Sequence, residues 1–160
     1  MKNTYLNNAA DSKAEDMIRA ITQFGCAEIH AKTLYEKAVA ELENGLIDVG
    51  NADILSEQLD KVDRIKEEIG MFSDLRRKAM VSLYEMYDGG DKEYWCLVKH
   101  LSIGAMCAFE AYEGSDDDPS LLDLAKEANK AFVHAVSVFI GTEVTDCAAC
   151  LGDFLKGVEG

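Results

Sequence analysis

The chain has 160 residues, of which 30 are acidic and 16 basic, with a formal net charge of −14 at pH 7 and a hydrophobic content of 48%. A chain of this length buries enough apolar surface to fold as one domain without disulfides or a metal. The negative charge repels nucleic-acid phosphates and anionic lipid headgroups, so we expect no direct binding to nucleic acid or membrane. The same charge speeds the encounter with a basic protein, which is the partner class we expect.

The cysteines and the N-terminal sequence indicate a reducing compartment. The chain has five cysteines, an odd number, and they lie scattered in apolar helical context rather than in a disulfide framework. The opening sequence MKNTYLNNAADSKAED contains no apolar run of the kind that a signal peptide needs. We therefore predict a cytoplasmic protein.

The first predicted helix begins at a capping box formed by Ser12 and Glu15, in which each side chain satisfies a free backbone donor of the other residue. Residues 1–11 are then a flexible N-terminal arm, and residues 12–160 form a single helical bundle domain. The dipeptide Asn44-Gly45 ends the helix. Its seam residues recur at alternating spacings of four and three, which is a heptad pattern: Met17, Ile21, Phe24, Glu28, Ala31, Tyr35, Ala38 and Leu42.

Glu28 is the one acidic residue on this seam. A buried carboxylate without a partner is very costly, so we predict that Glu28 lies at the edge of the seam and reaches water. The alternative is burial against a lysine, an arginine or a histidine.

A second long helix is predicted from a cap at Asn51 or Asp53 to about Tyr87, where the sequence Asp88-Gly89-Gly90 stops it. Two long amphipathic helices joined by a short link fold back as an antiparallel hairpin. The seam on the first helix is long, and a homodimer is one way to cover it.

Tyr94–Tyr112 is the most apolar stretch of the chain, interrupted only by Lys99, His100, Ser102 and Glu110. A helix that is apolar nearly all the way round must be packed on most of its sides. We therefore predict that this third helix is the central one. Its polar residues and its many small residues argue against a bilayer span.

The fourth helix is predicted to start at the N-cap Asp118 with Pro119 in its first turn, and to end near Ile140. Gly141-Thr142 separates it from a short fifth helix that runs to about Lys156. The apolar face of the fifth helix consists of Val144, Cys147, Leu151 and Phe154. The predicted fold is an all-α, four- or five-helix bundle with a long N-terminal antiparallel hairpin.

Two Cys-x-x-x-His spacings are the first candidate site. Cys26 with His30, and Cys96 with His100, each place a thiol and an imidazole on one helix face. If the two helices were neighbours, these four side chains could form a tetrahedral zinc site. The alternative is that the cysteines are small core residues and the histidines lie at helix surfaces. We therefore keep a zinc-binding structural protein only as an alternative and commit to no metal.

Pairs of carboxylates suggest a second alternative. All-α nucleotide pyrophosphohydrolases hold Mg²⁺ with an E-x-x-E and a later E-x-x-D, because that spacing puts two hard oxygen ligands on one helix face. Here the spacings are Glu110-x-x-Glu113 and Glu143-x-x-Asp146. Both pairs fall at predicted helix ends instead of inside a long helix, and an acidic chain produces such spacings by chance. An enzyme of this kind is the less favoured hypothesis.

The favoured hypothesis concerns the acidic segment between residues 100 and 125, which contains no lysine or arginine. Its acidic residues are Glu110, Glu113, Asp116, Asp117, Asp118 and Asp123. The purely structural interpretation is that these residues cap helices and lie in a solvated loop. We predict instead that they bind a basic protein partner, so that the chain is a non-enzymatic interaction module. The sharper hypothesis is an inhibitor that occludes a nucleic-acid-binding surface. No cofactor is expected.

Overall fold

The computed structural model describes residues 4–47, 52–86 and 91–141. These ranges form four helices and contain no strand: α1 is Thr4–Ile47, α2 is Ala52–Met86, α3 is Lys92–Glu113 and α4 is Pro119–Ile140. The all-α class and the long N-terminal hairpin of α1 and α2 are confirmed. The predicted fifth helix and the predicted stop at residues 88–90 lie outside the described residues. None of the described helices is both long enough and apolar enough to cross a bilayer.

The caps of α3 and α4 follow the sequence signals. The Asp91 carboxylate caps α3 by accepting from the Glu93 backbone N–H at 2.9 Å. Asp118 caps α4 in the same way, with Pro119 at its first position. Gly141 ends α4 with φ 74°, the left-handed conformation that glycine adopts without steric cost.

The predicted bounds of α1 are wrong at both ends. The helix begins at Thr4 instead of Ser12, so residues 4–11 are helical. No proline or glycine interrupts these residues, and their leucine and alanines favour a helix. At the other end α1 passes through Gly45 to Ile47, because a single helical glycine costs only about 1 kcal/mol.

The chain runs up and down through the bundle. α1 and α2 are antiparallel, as the ion pair between Glu41 and Lys61 and that between Glu28 and Arg76 show. α3 runs in the same direction as α1. Val98 in the N-terminal half of α3 packs in one cluster with Ile18 of α1, whereas Glu113 at the C-terminal end of α3 contacts His30, which lies further along α1. α4 then returns antiparallel to α3.

All four helices meet in the main core cluster. Its most completely buried side chains come from every helix: Ile18 and Ile21 from α1, Leu83 from α2, Val98 from α3, and Phe132 and Val136 from α4. Beside this cluster the rings of Tyr84, Trp95 and Phe139 tie α2, α3 and α4 together, with centroid distances of 5.1 Å between the first two and 5.0 Å between the last two.

Beyond the body formed by all four helices, α1 and α2 project as a pair. The buried cluster in this part consists of Ala31, Ala38 and Ile65, with further residues drawn only from the same two helices. From Ala31 to Ile47 the helix rises about 25 Å. The four-helix body is therefore short, and the hairpin extends past it.

The prediction that the third helix is central is wrong. Its buried residues are only Val98, Ser102 and Phe109, whereas Leu97 is 44% and Ile103 is 53% exposed. The central helix is α1, which buries its predicted seam against α2 and a second face against α3 and α4. That second face includes Ala14, Ile18, Thr22, Cys26 and Ile29. Within the described residues, the outer side of α3 has no helix against it.

The prediction that Glu28 lies at the edge of the seam is also wrong. Glu28 is only 5% exposed. Its carboxylate lies 3.2 Å from Arg76 Nε and 3.6 Å from Lys32 Nζ, so two cations compensate the buried charge. Burial against basic partners was the alternative that the seam position left open.

Candidate protein-binding surface

The connection between α3 and α4 is held in one conformation by its own hydrogen bonds. Ser115 Oγ donates to the Tyr112 carbonyl at 2.6 Å and accepts from the Asp118 N–H at 3.2 Å. Between these anchors Asp116 and Asp117 have φ values of 53° and 64°, a left-handed conformation that aspartate tolerates better than most residues. The loop therefore presents the two carboxylates at an exposed tip.

Three of the six predicted binding carboxylates have partners within the chain. Glu113 Oε1 lies 3.1 Å from His30 Nδ1, and its side chain is only 14% exposed. Asp117 accepts a hydrogen bond from the Tyr112 hydroxyl at 3.3 Å. Asp118 is the N-cap of α4. These three are held by the fold, and the pair between Glu113 and His30 joins α3 to α1.

The other three carboxylates belong to Glu110, Asp116 and Asp123, and all three residues are exposed. Glu110 lies in the last turn of α3, Asp116 in the loop and Asp123 in the first turns of α4. The structure thus places them around one end of the four-helix body. We call these three the exposed carboxylates.

The Asp118 carboxylate shows how the fold favours negative charge here. Hydrogen bonds from the side chain and the backbone N–H of Ser120 lower the pKa of Asp118 below its ordinary value. A carboxyl group with a lower pKa in the folded state stabilises the fold above its unfolded pKa of about 3.9, and loses that effect as the pH falls through the folded pKa.

We therefore expect D118N to reduce the loss of thermal stability on acidification. The melting temperature of the parent chain should fall further between pH 5 and pH 3 than that of D118N, because only the parent loses this charged cap. Circular dichroism melts at the two pH values measure the difference, and all other carboxylates contribute equally to both proteins. An equal fall in the two melting temperatures would show that the cap does not depend on charge.

The structure does not bring the four candidate zinc ligands together. Cys26 is buried between α1, α3 and α4, whereas Cys96 and His100 are exposed on the outer side of α3. Burial, and secondarily the charge of Glu113, raises the pKa of Cys26 to about 12, which opposes the thiolate that zinc requires. Across residues 4–47, 52–86 and 91–141 no group of three or more His, Cys, Asp or Glu side chains is placed to hold a metal.

The two carboxylates of the first pair in the magnesium hypothesis also lie in different surroundings. Glu110 is exposed, whereas Glu113 is directed to His30. The second pair, Glu143 and Asp146, lies outside the described residues. The described part of the chain therefore gives no support to the hydrolase alternative.

A buried polar pair in the body was not identified from the sequence. Thr22 Oγ1 donates to Asn129 Oδ1 at 3.1 Å, and both residues line a cavity of about 20 Å³ together with Ser102 and Cys26. A cavity of that size has room for about one water molecule and not for an organic substrate. The pair spans 107 positions of the sequence, so no local pattern could have revealed it.

Comparison of the chain with protein-family models, with curated proteins and with solved structures finds no match.

Proposed function

We propose that this chain is a non-enzymatic, acidic interaction module that binds a basic protein surface through the exposed carboxylates Glu110, Asp116 and Asp123. One observation supports this most strongly. These three side chains are exposed around one end of the four-helix body, in a stretch that contains no lysine or arginine. Nothing in that stretch neutralises their charge, and a field of one sign steers a basic partner to this end.

The geometry of the loop supports the proposal further. The hydrogen bonds of Ser115 and the cap at Asp118 fix the backbone on both sides of Asp116 before any partner arrives. A prearranged loop loses less conformational entropy on binding than a flexible one. The backbone positions that carry Glu110, Asp116 and Asp123 are therefore fixed relative to one another.

Anionic side chains carried at fixed backbone positions suggest the kind of partner. A protein that binds nucleic acid presents rows of lysine and arginine to phosphates. The exposed carboxylates offer such a surface the same charge, and a bound bundle blocks access to it. The proposed role is therefore inhibition by occlusion of a basic, nucleic-acid-binding surface.

The test compares two variants of equal net charge. E110Q/D116N/D123N removes the exposed carboxylates, while the control E57Q/D60N/E67Q removes three exposed carboxylates from α2. The probe is a short synthetic peptide of lysine and arginine, and fluorescence anisotropy at physiological salt gives its affinity. Each exposed ion pair contributes about 0.2–1 kcal/mol, so we expect the first variant to bind about 10-fold more weakly and the control within about 2-fold of the parent.

Equal weakening by both variants would contradict the proposal, because it would show that only net charge matters. A second arm uses low-salt pull-downs from the native host with the same three proteins. We expect the parent and the α2 control to retain a basic partner that E110Q/D116N/D123N does not retain. Failure to recover any basic partner with the parent would count against occlusion.

A further inference from the structure

The middle of the outer side of α3 is exposed and carries little charge. Ile103 is 53% exposed, and the stretch from His100 to Phe109 contains no lysine, arginine, aspartate or glutamate. Along the centre of this side the exposed residues are spaced by four, three and four positions, which keeps them on nearly one line of the helix. We call these four residues the central row: Cys96, His100, Ile103 and Cys107.

The charged residues of α3 lie beside the central row and not on it. Glu113, which contacts His30, marks the side of α3 that faces α1. Lys92, Lys99 and Glu110 are exposed on the flank between Glu113 and the central row. The other flank is formed by four exposed residues: Glu93, Leu97, Gly104 and Ala111. We call the central row and its two flanks the outer face.

The central row can face a second copy of itself. Its spacings of four, three and four are the same when read from either end. An antiparallel copy of α3 therefore meets the row in register, with Cys96 of each copy opposite Cys107 of the other and His100 opposite Ile103. A two-fold symmetric interface needs one patch to be complementary to itself in this way.

The flank towards α1 is complementary in charge in the same register. A two-fold axis between antiparallel helices brings the same flank of each copy together. Lys92 and Glu110 are 18 residues apart, or about five turns, so they lie along one line of that flank. Lys92 of one copy comes within about 1.5 Å of the level of Glu110 of the other, and this ion pair forms twice. Lys99 lies between these pairs, and its long side chain reaches water.

The other flank is complementary in shape. A Cβ added at Gly104 would meet no atom within 4 Å, so the surface is shallow at that point. Leu97, which is 44% exposed, comes within about 3 Å of the level of Gly104 of the second copy and covers it. Glu93 lies opposite Ala111 on this flank, and the width of the central row separates it from Glu110 of the other copy.

We propose that the outer face of α3 binds the outer face of a second copy in an antiparallel, two-fold symmetric dimer. The overall charge favours this surface over others. The exposed charged residues of α3 are two lysines and two glutamates, which cancel, although the chain has a net charge of −14. Two acidic molecules therefore meet here with less repulsion than at an acidic surface.

The size of the interface sets the expected affinity. One helix from each copy buries less than about 1,200 Å², which is typical of weak and reversible complexes. We therefore expect a dissociation constant in the micromolar range. Glu110 belongs both to this face and to the exposed carboxylates, so the dimer and a basic partner compete for it. Asp116 and Asp123 lie outside the outer face and stay open in the dimer.

Sedimentation velocity of the full chain in a reducing buffer, between about 1 and 500 µM, tests the proposal. We expect the fraction of dimer to rise with concentration. I103D buries a carboxylate in the central row and should raise the dissociation constant at least about 10-fold. V81D is the matched control, because Val81 is 54% exposed on α2 and the substitution adds the same charge. It should change the constant by less than about 2-fold.

A charge swap tests the predicted ion pair. K92E opposes two glutamates at each end of the dimer and should weaken it about 5-fold, because the pair occurs twice. K92E/E110K restores opposite charges and should return the dissociation constant to within about 2-fold of the parent. K66E, at an exposed position of α2, changes the net charge as much as K92E and controls for general repulsion.

The native cysteines report the orientation of the two helices. Within one chain Cys96 and Cys107 lie about 16 Å apart along α3, so a bis-maleimide shorter than that distance cannot join them. We expect this reagent to produce a covalent dimer, and peptide mass spectrometry should identify its link as Cys96 to Cys107. I103D should yield about 10-fold less of this product at the same concentration.

Three results would overturn the proposal. The chain could stay monomeric up to about 500 µM, which would show that the outer face does not bind a second copy. A dimer that forms equally well with I103D would use another surface. Links from Cys96 to Cys96 would show a parallel arrangement. I103D and K92E retain all three exposed carboxylates, so their failure to weaken a dimer would leave the proposed binding of a basic protein intact.

Discussion

Replacing Arg76 with alanine is expected to lower the free energy of unfolding by about 3 kcal/mol, because it leaves a buried carboxylate with a single, half-exposed partner. Glu28 is 5% exposed, and the Arg76 side chain that lies 3.2 Å from it is itself largely buried. Lys32 remains at 3.6 Å, but its side chain is 48% exposed. Urea unfolding at pH 7, followed by circular dichroism, measures the loss.

The neighbouring Arg77 provides the matched control. It is exposed, so R77A should change the free energy of unfolding by less than about 0.5 kcal/mol. The double variant E28L/R76M should recover most of the stability that R76A loses, because replacing both partners removes the unpaired charge. If R76A and R77A proved equally stable, the ion pair would have no structural role.

Replacing Phe132 with alanine is expected to cost about 4 kcal/mol, within the range of 3–5 kcal/mol typical of buried phenylalanine. Phe132 is 1% exposed and belongs to the cluster in which all four helices meet. It also forms part of the wall of the cavity beside Thr22 and Asn129. Truncation would therefore enlarge an existing cavity between helices that cannot easily close.

Urea unfolding again gives the measurement, with V81A as the control for loss of an exposed apolar side chain. Val81 is 54% exposed, so its truncation should cost less than about 0.5 kcal/mol. A loss of under about 1.5 kcal/mol in F132A would indicate that the body repacks around the gap, and would contradict the close packing of the four helices at this point.

The features predicted correctly from the sequence are those set by neighbouring residues. Asp118 and Pro119 start α4, and Gly141 ends it, because a cap needs only the local backbone and one side chain. The hairpin of α1 and α2 follows equally from two long amphipathic patterns joined by a short link. Such signals act within one or two turns, so the sequence displays them directly.

The features that were missed depend on partners far along the chain. The hydrophobicity of the third helix predicts that it is buried, but hydrophobicity does not specify which helix will cover it. The carboxylate of Glu28 is paired with Arg76, 48 residues away, and that of Glu113 meets His30, 83 residues away. No periodicity specifies such pairings. For the same reason, the six acidic residues could not be separated by sequence into those that are bound and those that are exposed.

The most direct test of the proposed function is an amide chemical-shift map of the chain, titrated at physiological salt with the peptide of lysine and arginine. The proposal expects the largest shifts at Glu110, Asp116 and Asp123 and in the residues beside them. It expects small shifts at the exposed Glu57, Asp60 and Glu67 of α2, which serve as the internal reference. Shifts of equal size at the α2 residues, or no measurable shifts at all, would contradict a binding surface at the end of the four-helix body.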